Sequence, residues 1–280
     1  MNQQDFFATS ELDRKIQKNK IVVGTSGYIF PDWRGSFYPE KLPQSRWLEF
    51  YSNHFDAVEI NATYYRLPSR SSFQSMAERT PVGFSFWIKV PGEITHRGGD
   101  LPTTMENFLQ CIDPIRQAGR LKGVLAQYPF SFRPTSDSKS ALHQLNQLCQ
   151  GIPLAVETRQ FTWQNDEMYA FFQAEGIHYV IPDLPALPGL PDNSVKVTSN
   201  TAYIRFHGRN KRTWNNPAAG DRYDYEYSPA EIEEWLPKLR ESGEKAETTF
   251  VFFNNCHMGQ AIKNAKMLKA LLKDQFGDIR

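Results

Sequence analysis

Eight short β-rich runs alternate with helical segments along almost the whole of this 280-residue chain. The β-rich runs are Ile21–Gly24, Ala57–Asn61, Phe84–Val90, Gly123–Gln127, Leu154–Glu157, Tyr179–Ile181, Ala202–Phe206 and Phe250–Phe253. The helical segments are Ser45–Phe55, Ser71–Arg79, Met105–Ala118, Lys139–Cys149, Glu167–Glu175, Pro229–Arg240 and Gln260–Lys273. Strands that alternate with helices form a parallel sheet, and eight such units close most naturally into a barrel. The pattern therefore predicts an α/β fold, a single (β/α)8 TIM-type barrel with long loops at its C-terminal face.

The alternative to a barrel is an open, doubly wound sheet. A dinucleotide-binding sheet of that kind carries GxGxxG after its first strand, and no such pattern follows Ile21–Gly24. The sixth connection, Leu184 to Thr201, is rich in proline and shows no clear helix. Since no linker or shift of composition divides the chain, we expect residues 1–19 to be an N-terminal extension and residues 20–280 to be one barrel domain.

Composition and charge limit the function classes. Hydrophobic residues make up 40% of the chain and charged residues 22%, the balance of a folded globular protein. The formal net charge of +1 lacks the basic excess with which proteins wrap duplex nucleic acid. The three cysteines form no CxxC pair, which argues against a zinc ribbon or a disulfide framework and fits a reducing compartment. Residues 1–19 lack the apolar core of a signal peptide and no apolar run is long enough to span a bilayer, so we expect a cytoplasmic protein without membrane contact.

Charged residues occupy strand positions that a purely structural barrel fills with aliphatic side chains. Because side chains alternate between the two faces of a strand, Val58 and Ile60 should face the helices and Glu59 should point into the barrel. The same alternation turns a further set of polar side chains inward: Asn61, Lys89, Glu157, Arg159, Arg205 and His207.

Polar residues also follow other strands, at the end where barrel enzymes keep their active sites. Ser26 follows the first strand, Asp183 the sixth and Asn254 the eighth. An interior charge is costly unless it is paired. Two interpretations therefore stay open: a functional site at the C-terminal mouth, and a buried ion-pair network that fills the barrel.

Several motifs together resemble the YecE-like family, a bacterial family with a domain of unknown function. They are Gly24–Tyr28, Phe37–Pro39, Val58–Asn61, Thr63–Arg66, Phe86–Pro91, Ala155–Glu157, Arg205–Asn210 and Phe253–Asn255. The resemblance extends from about Ile21 to Leu272. It implies a (β/α)8 barrel and supplies no reaction.

The strand-end residues define a predicted site. Its catalytic candidates are Glu59 or Glu157 as general base, His207 as general acid or orienting group, and Asp183 as a further carboxylate. Its ligand-binding candidates are Ser26, Tyr28, Asn61, Tyr64, Lys89, Arg159, Arg205, Arg209 and Asn254. Arginine holds phosphate or carboxylate bidentately. We therefore expect an enzyme that acts on an anionic, phosphate-containing small molecule or a nucleic-acid component.

The reaction stays open at this level. Hydrolysis of a phosphoester or of a glycoside is one option, and glycoside hydrolysis would use paired carboxylates. A divalent metal held by His96, His207 or His257 together with carboxylates is a further option, although no HxH or HExxH spacing supports it. The other functional classes are a non-catalytic module that stacks single-stranded nucleic acid on loop aromatics, and a structural or regulatory barrel with a relic site. Whether the aromatic-rich segment 211–228 forms a lid over the mouth stays open at this level.

Overall fold

Eight parallel strands close into a barrel in a computed structural model that describes residues 20–216 and 221–276. Each strand pairs with the next in chain order, and β8 pairs with β1. The strands are β1 (Lys20–Ser26), β2 (Ala57–Ile60), β3 (Ser85–Lys89), β4 (Leu121–Gln127), β5 (Leu154–Glu157), β6 (His178–Asp183), β7 (Thr201–Phe206) and β8 (Thr248–Phe253). The predicted single (β/α)8 barrel is confirmed, with every predicted strand in place.

Helices surround the barrel. They are α1 (Trp47–Ser52), α2 (Arg70–Glu78), α3 (Leu101–Gln117), α4 (Ser136–Leu148), α5 (Asp166–Glu175), α6 (Lys211–Trp214), α7 (Pro229–Glu233), α8 (Leu236–Lys245) and α9 (Gln260–Phe276). Side chains cap several helix starts, for example Thr135 before α4 and Asn165 before α5, each of which accepts a backbone hydrogen bond from the first turn. The connection 184–200, which the structure describes throughout, contains no helix, as its prolines predict.

One predicted helix is divided in the structure. The sequence predicts a single helix over Pro229–Arg240, whereas α7 ends at Glu233 and α8 begins at Leu236. Pro237 lies in the first turn of α8 and has no N–H to donate to the preceding turn, so the first helix cannot continue through it. Ser228 and Glu231 form a reciprocal capping box that fixes the start of α7.

The barrel interior is built in two layers. A lower, aromatic layer contains Trp87, Tyr203 and Phe250, with the Trp87 and Tyr203 ring centroids 4.6 Å apart and edge-on. Gly123 makes room for this layer, since a Cβ atom there would lie 2.3 Å from the Trp87 ring. Lys89 and Arg205 follow Trp87 and Tyr203 on the same strands and the same face, so the charged residues form the layer above, toward the mouth.

Within residues 20–216 and 221–276, no helix has the length and the apolar character that a membrane span requires. The predicted N-terminal extension, residues 1–19, lies outside the described residues.

Candidate functional site

The inward-facing charged residues predicted from strand alternation meet at the C-terminal end of the barrel. Glu59 on β2, Glu157 on β5 and Arg205 on β7 are 0%, 0% and 1% exposed. Arg159 and His207 lie two positions beyond Glu157 and Arg205 and are buried as well. Strand geometry thus places five charged or titratable groups in one enclosed layer above the aromatic side chains.

Arg205 joins the two carboxylates. Its Nη2 donates to Glu59 Oε1 at 2.6 Å, and its Nη1 donates to Glu157 Oε2. The Tyr203 hydroxyl donates to the second Glu59 oxygen at 2.6 Å. Burial favours the neutral acid, but the attraction of Arg205 and the hydrogen bond from Tyr203 outweigh it and hold the pKa of Glu59 below its ordinary value. Glu59 is therefore ionised with both oxygens occupied.

Glu157 is surrounded by donors. Arg159 Nε donates to Oε1 at 2.5 Å, Arg205 donates to Oε2, and His207 Nε2 lies 3.2 Å from the carboxylate. Burial opposes the charge, yet the two guanidinium groups keep the pKa of Glu157 well below its ordinary value. This carboxylate is the centre of the cluster.

His207 is held at both ring nitrogens. With Glu157 ionised, Nε2 is the donor to that carboxylate, and Nδ1 accepts from Asn254 Nδ2 at 3.0 Å. Burial lowers the pKa of His207 to about 4 despite the attraction of Glu157, with Arg159 and Arg205 acting in the same direction as burial. At neutral pH this imidazole is uncharged and orients its neighbours.

Lys89 stands apart from the ion pairs. Its Nζ lies 2.8 Å from Gln127 Oε1 and 4.3 Å from the centroid of the Tyr64 ring. No carboxylate of the described residues lies within ion-pair distance of it. Burial lowers the pKa of Lys89 to about 7, and repulsion from Arg205 adds to the effect.

Loop aromatics cover this layer. The Arg159 guanidinium carbon lies 5.3 Å from the Trp214 ring centroid, and the Tyr223 ring lies 6.1 Å from that of His207. Tyr64 packs edge-on against His96 at 5.2 Å. Within segment 211–228, the side chains of Trp214 and Tyr223 therefore lie against the charged groups, while residues 217–220 lie outside the described part of the chain.

Three predicted site residues, Asp183, Arg209 and Tyr28, lie outside this cluster. Asp183 shares a strand face with Ile181, and the Ile181 side chain belongs to the core between the barrel and the helices. The Asp183 carboxylate therefore points away from the barrel axis. It accepts hydrogen bonds from Arg209 Nη2 at 2.8 Å, from Tyr227 at 2.7 Å and from Trp235 at 2.9 Å. Asp183 and Arg209 therefore anchor the segment after β7 to the helix layer and do not contact Glu157.

Tyr28 also lies away from the mouth. Gly27 has a φ of 106°, and the turn there carries the chain outward from β1. The Tyr28 ring is buried beside that of Tyr51, with the centroids 6.3 Å apart. From the sequence, Tyr28 lies next to a strand end and could line the mouth. The Gly27 conformation instead directs the Tyr28 ring to the surrounding helices, beside Tyr51 of α1.

Two buried polar atoms around Glu59 lack a hydrogen-bond partner among the described residues: Asn61 Oδ1 and Arg205 Nε. Ser26 is aligned with Glu59 across the β1–β2 pair and its hydroxyl interacts with that carboxylate, and Asn61 follows Glu59 on the same face. Buried polar atoms are rarely left unpaired in proteins. The two atoms therefore mark a place in the mouth that suits a polar ligand.

The histidines do not assemble a metal site. Within residues 20–216 and 221–276, no group of three His, Cys, Asp or Glu side chains is arranged to hold a metal ion. His96 is exposed beside Tyr64, and His257 lies 3.9 Å from Asp224 at the surface. The mixed site of histidines and carboxylates considered from the sequence is not formed by these residues.

Two residues that shape the cluster are missing from the predicted set. Gln127 is the hydrogen-bond partner of Lys89, and Tyr203 is that of Glu59. Strand alternation carries the signal for both, since Gln127 shares a face with the inward Leu125, and Tyr203 shares one with Arg205.

The molecule is an eight-stranded α/β barrel whose C-terminal mouth holds a buried, ion-paired cluster under aromatic loops. A family model described as "Protein of unknown function DUF72" matches residues 22–279, and the chain belongs to that family. The predicted YecE-like resemblance is thereby confirmed.

Known relatives cover most of the chain. It is 29% identical over 276 residues to the UPF0759 protein YunF of Bacillus subtilis (strain 168), covering 92% of this chain and 97% of that protein. It is 26% identical over 241 residues to the UPF0759 protein YecE of Escherichia coli (strain K12), covering 76% of this chain and 81% of that protein. The crystal structure of a DUF72 family protein from Thermotoga maritima MSB8 is similar at a TM-score of 0.83 and 40% identity, covering 91% of this chain and 100% of that one.

Proposed function

We propose that this protein is an enzyme that acts on a small anionic molecule, one that carries a phosphate group, at the C-terminal mouth of its barrel. The observation that carries the proposal is the charge of the buried layer. Three basic side chains, Lys89, Arg159 and Arg205, surround only two carboxylates, so protonation of Lys89, whose pKa is lowered to about 7, gives the layer an excess positive charge. A buried charge without a counterion is unfavourable, so an anion would complete the cluster.

Arg159 and Lys89 are the groups that would hold the anion. Arg205 uses both Nη atoms on Glu59 and Glu157. Arg159, in contrast, gives only Nε to Glu157, and its planar face lies over Trp214. Its Nη groups donate to no carboxylate of the described residues, although Tyr223 lies within hydrogen-bonding reach of the guanidinium. Such a guanidinium can bind phosphate bidentately, and a lysine ammonium adds a point charge.

An enzymatic role is supported by the titration of Lys89. Perturbed pKa values in a cleft are typical of reactive groups, and the pKa of Lys89 is lowered by burial to about 7. Glu59 and Glu157 are held ionised with their oxygens in use, and His207 is neutral with both nitrogens engaged. We therefore assign proton transfer to Lys89, and an orienting role to His207, in place of the general base first considered for the two glutamates.

The experiment is a thermal-unfolding comparison in sodium phosphate and in sodium chloride at matched ionic strength. Phosphate should raise the melting temperature of the wild type, because a ligand that binds only the folded state stabilises it, by about 2.7 kcal/mol at a hundred times its Kd. Arg159→Met should lose most of that increment relative to its own chloride baseline. Arg116→Met, an exposed arginine on α3 paired with Asp113, is the matched control and should keep it. An equal increment in Arg159→Met and in the wild type, or no increment in either, would refute the proposal.

A further inference from the structure

We infer that Lys89 is a nucleophilic amine that forms a Schiff base with the carbonyl carbon of an anionic aldehyde or ketone bound in the mouth. The inference rests on the proposed function, because Arg159 is the group that would bring the anion of the substrate to this place. It adds a reaction class and a substrate class to that function.

The position of Lys89 suits this role. It is the last residue of β3, with its side chain inside the barrel at the C-terminal end, and it is 8% exposed. A surface lysine of the same chain, Lys139, pairs instead with Glu167 at 3.2 Å. Among the described residues, Lys89 Nζ contacts the neutral Gln127 amide and the face of the Tyr64 ring. Such a site favours the neutral amine over the ammonium, which is how a lysine nucleophile is activated.

The neighbouring charges act on the Lys89 ammonium in opposite directions. Arg205 and Arg159 repel the Lys89 ammonium, while Glu157 and Glu59 attract it. Both carboxylates, however, already pair with guanidinium groups. His96 packs edge-on against Tyr64, and partial burial together with the charge of Lys89 lowers its pKa. Lysines that are desolvated next to another cation are known nucleophiles in carbonyl chemistry.

The chemistry balances without a further reactant. The Lys89 nitrogen lone pair forms a C–N bond to the carbonyl carbon, the C=O electron pair moves to oxygen, and a proton passes from nitrogen to oxygen through solvent to give a carbinolamine. The nitrogen then forms a C=N bond as the hydroxyl group takes a second proton from nitrogen and leaves as water. The sum is amine plus carbonyl giving imine plus water, with no change of oxidation state.

An unpaired polar atom refines the substrate class. Asn61 Oδ1 is an acceptor that has no partner among the described residues. A hydroxyl group next to the carbonyl would donate to it. The probe that combines a carbonyl, a hydroxyl and a phosphate is glyceraldehyde 3-phosphate, and glyceraldehyde is its uncharged counterpart.

The test is reductive trapping on the full chain. The protein is incubated with glyceraldehyde 3-phosphate and sodium cyanoborohydride at pH 7.5, and the adducts are located by intact mass and peptide mapping. We expect one dominant adduct, on Lys89, formed at least ten times faster than with glyceraldehyde. Lys139→Arg should be labelled like the wild type, and Lys89→Arg should lose the dominant adduct while its circular dichroism shows that it is folded.

A pH profile separates Lys89 from surface lysines even if Lys89→Arg does not fold. The rate of labelling at Lys89 should rise about tenfold between pH 6 and 8 and then level off, because its pKa is lowered to about 7, whereas ordinary lysines continue to gain reactivity up to about pH 10. Labelling spread over surface lysines, with Lys89 no faster than Lys139, overturns the inference. If phosphate still stabilises the protein in that case, the proposed function stands alone; if it does not, both fail.

Discussion

The guanidinium of Arg205 lies 2.6 Å from the carboxylate of Glu59, although 146 residues separate the two in the chain. Between their strands, β7 and β2, the barrel places β8 and β1. The contact therefore crosses the interior and ties together distant parts of the sheet. Its formation depends on barrel closure, and removing either partner upsets the charge balance of a buried cluster.

Glu59→Gln should reduce the free energy of unfolding by about 3 kcal/mol, since breaking a buried ion pair leaves its partner uncompensated. Urea unfolding followed by circular dichroism measures this change. Glu49→Gln is the matched control, because Glu49 forms an exposed pair with Arg46, and exposed pairs contribute less than about 1 kcal/mol. Equal losses in the two variants would show that the Glu59–Arg205 contact contributes no more than a surface pair.

Acid should destabilise the protein between about pH 6.5 and pH 4 through its buried histidines. Burial lowers the pKa of both His207 and His178 to about 4, so the unfolded chain takes up protons in this range while the folded one does not. Stability is then complete above about pH 6.5 and falls on acidification, with each histidine contributing on the order of 3 kcal/mol by pH 4.

Urea unfolding at several pH values tests this sign. His207→Gln should flatten the slope between pH 6.5 and 4 by about half, since His178 remains. His143→Gln changes a half-exposed histidine on α4 and should keep the slope of the wild type. A slope unchanged in His207→Gln would mean that this imidazole takes up its proton without cost to the fold.

Anion binding should be linked to proton uptake by Lys89. Sulfate is a suitable probe because it does not titrate near neutral pH. Since the free protein has a Lys89 pKa of about 7, an anion beside it should raise that pKa, and sulfate affinity should fall about tenfold for each pH unit above 7. Isothermal titration in buffers of different ionisation enthalpy counts the protons taken up. Lys89→Arg keeps the charge and should bind sulfate with nearly constant affinity from pH 7 to 9; the same decline in that variant would exclude Lys89 as the proton acceptor.

Asp183→Asn should loosen the segment that follows β7. The carboxylate accepts from Arg209, Tyr227 and Trp235 at once, and an amide cannot accept at both positions. We expect a loss of about 3 kcal/mol in the free energy of unfolding, with faster amide exchange at Gly208 and through 221–227. Asp137→Asn, an exposed position in the first turn of α4, should leave both quantities unchanged. Unchanged exchange in Asp183→Asn would show that the segment is held by its apolar contacts alone.

The interior charges could be predicted because strand alternation is a local rule. On β2, the apolar neighbours Val58 and Ile60 belong to the outer core, so Glu59 between them had to face inward. The same reading places Arg205 between Ile204 and Phe206. Each of these predictions needs only the residues on either side.

Asp183 and Tyr28 could not be placed in this way. On β6, Val180 points into the barrel and Ile181 points toward the helices, yet both are apolar. The strand therefore shows no alternation of polar and apolar residues from which the face of Asp183 could be predicted. Its partners, Tyr227 and Trp235, come from a later part of the chain that only the closed fold brings near. The direction of Tyr28 depends on the backbone conformation of Gly27.

The aromatic layer formed by Trp87, Tyr203 and Phe250 determines how a molecule can approach Lys89. These rings fill the barrel below the charged groups, so there is no passage through its axis. Under the proposed function, a ligand would reach Lys89 and leave it from the C-terminal side alone. A long polymer could not pass through the barrel axis, and the part of the ligand that does not contact Lys89 would stay on that same side.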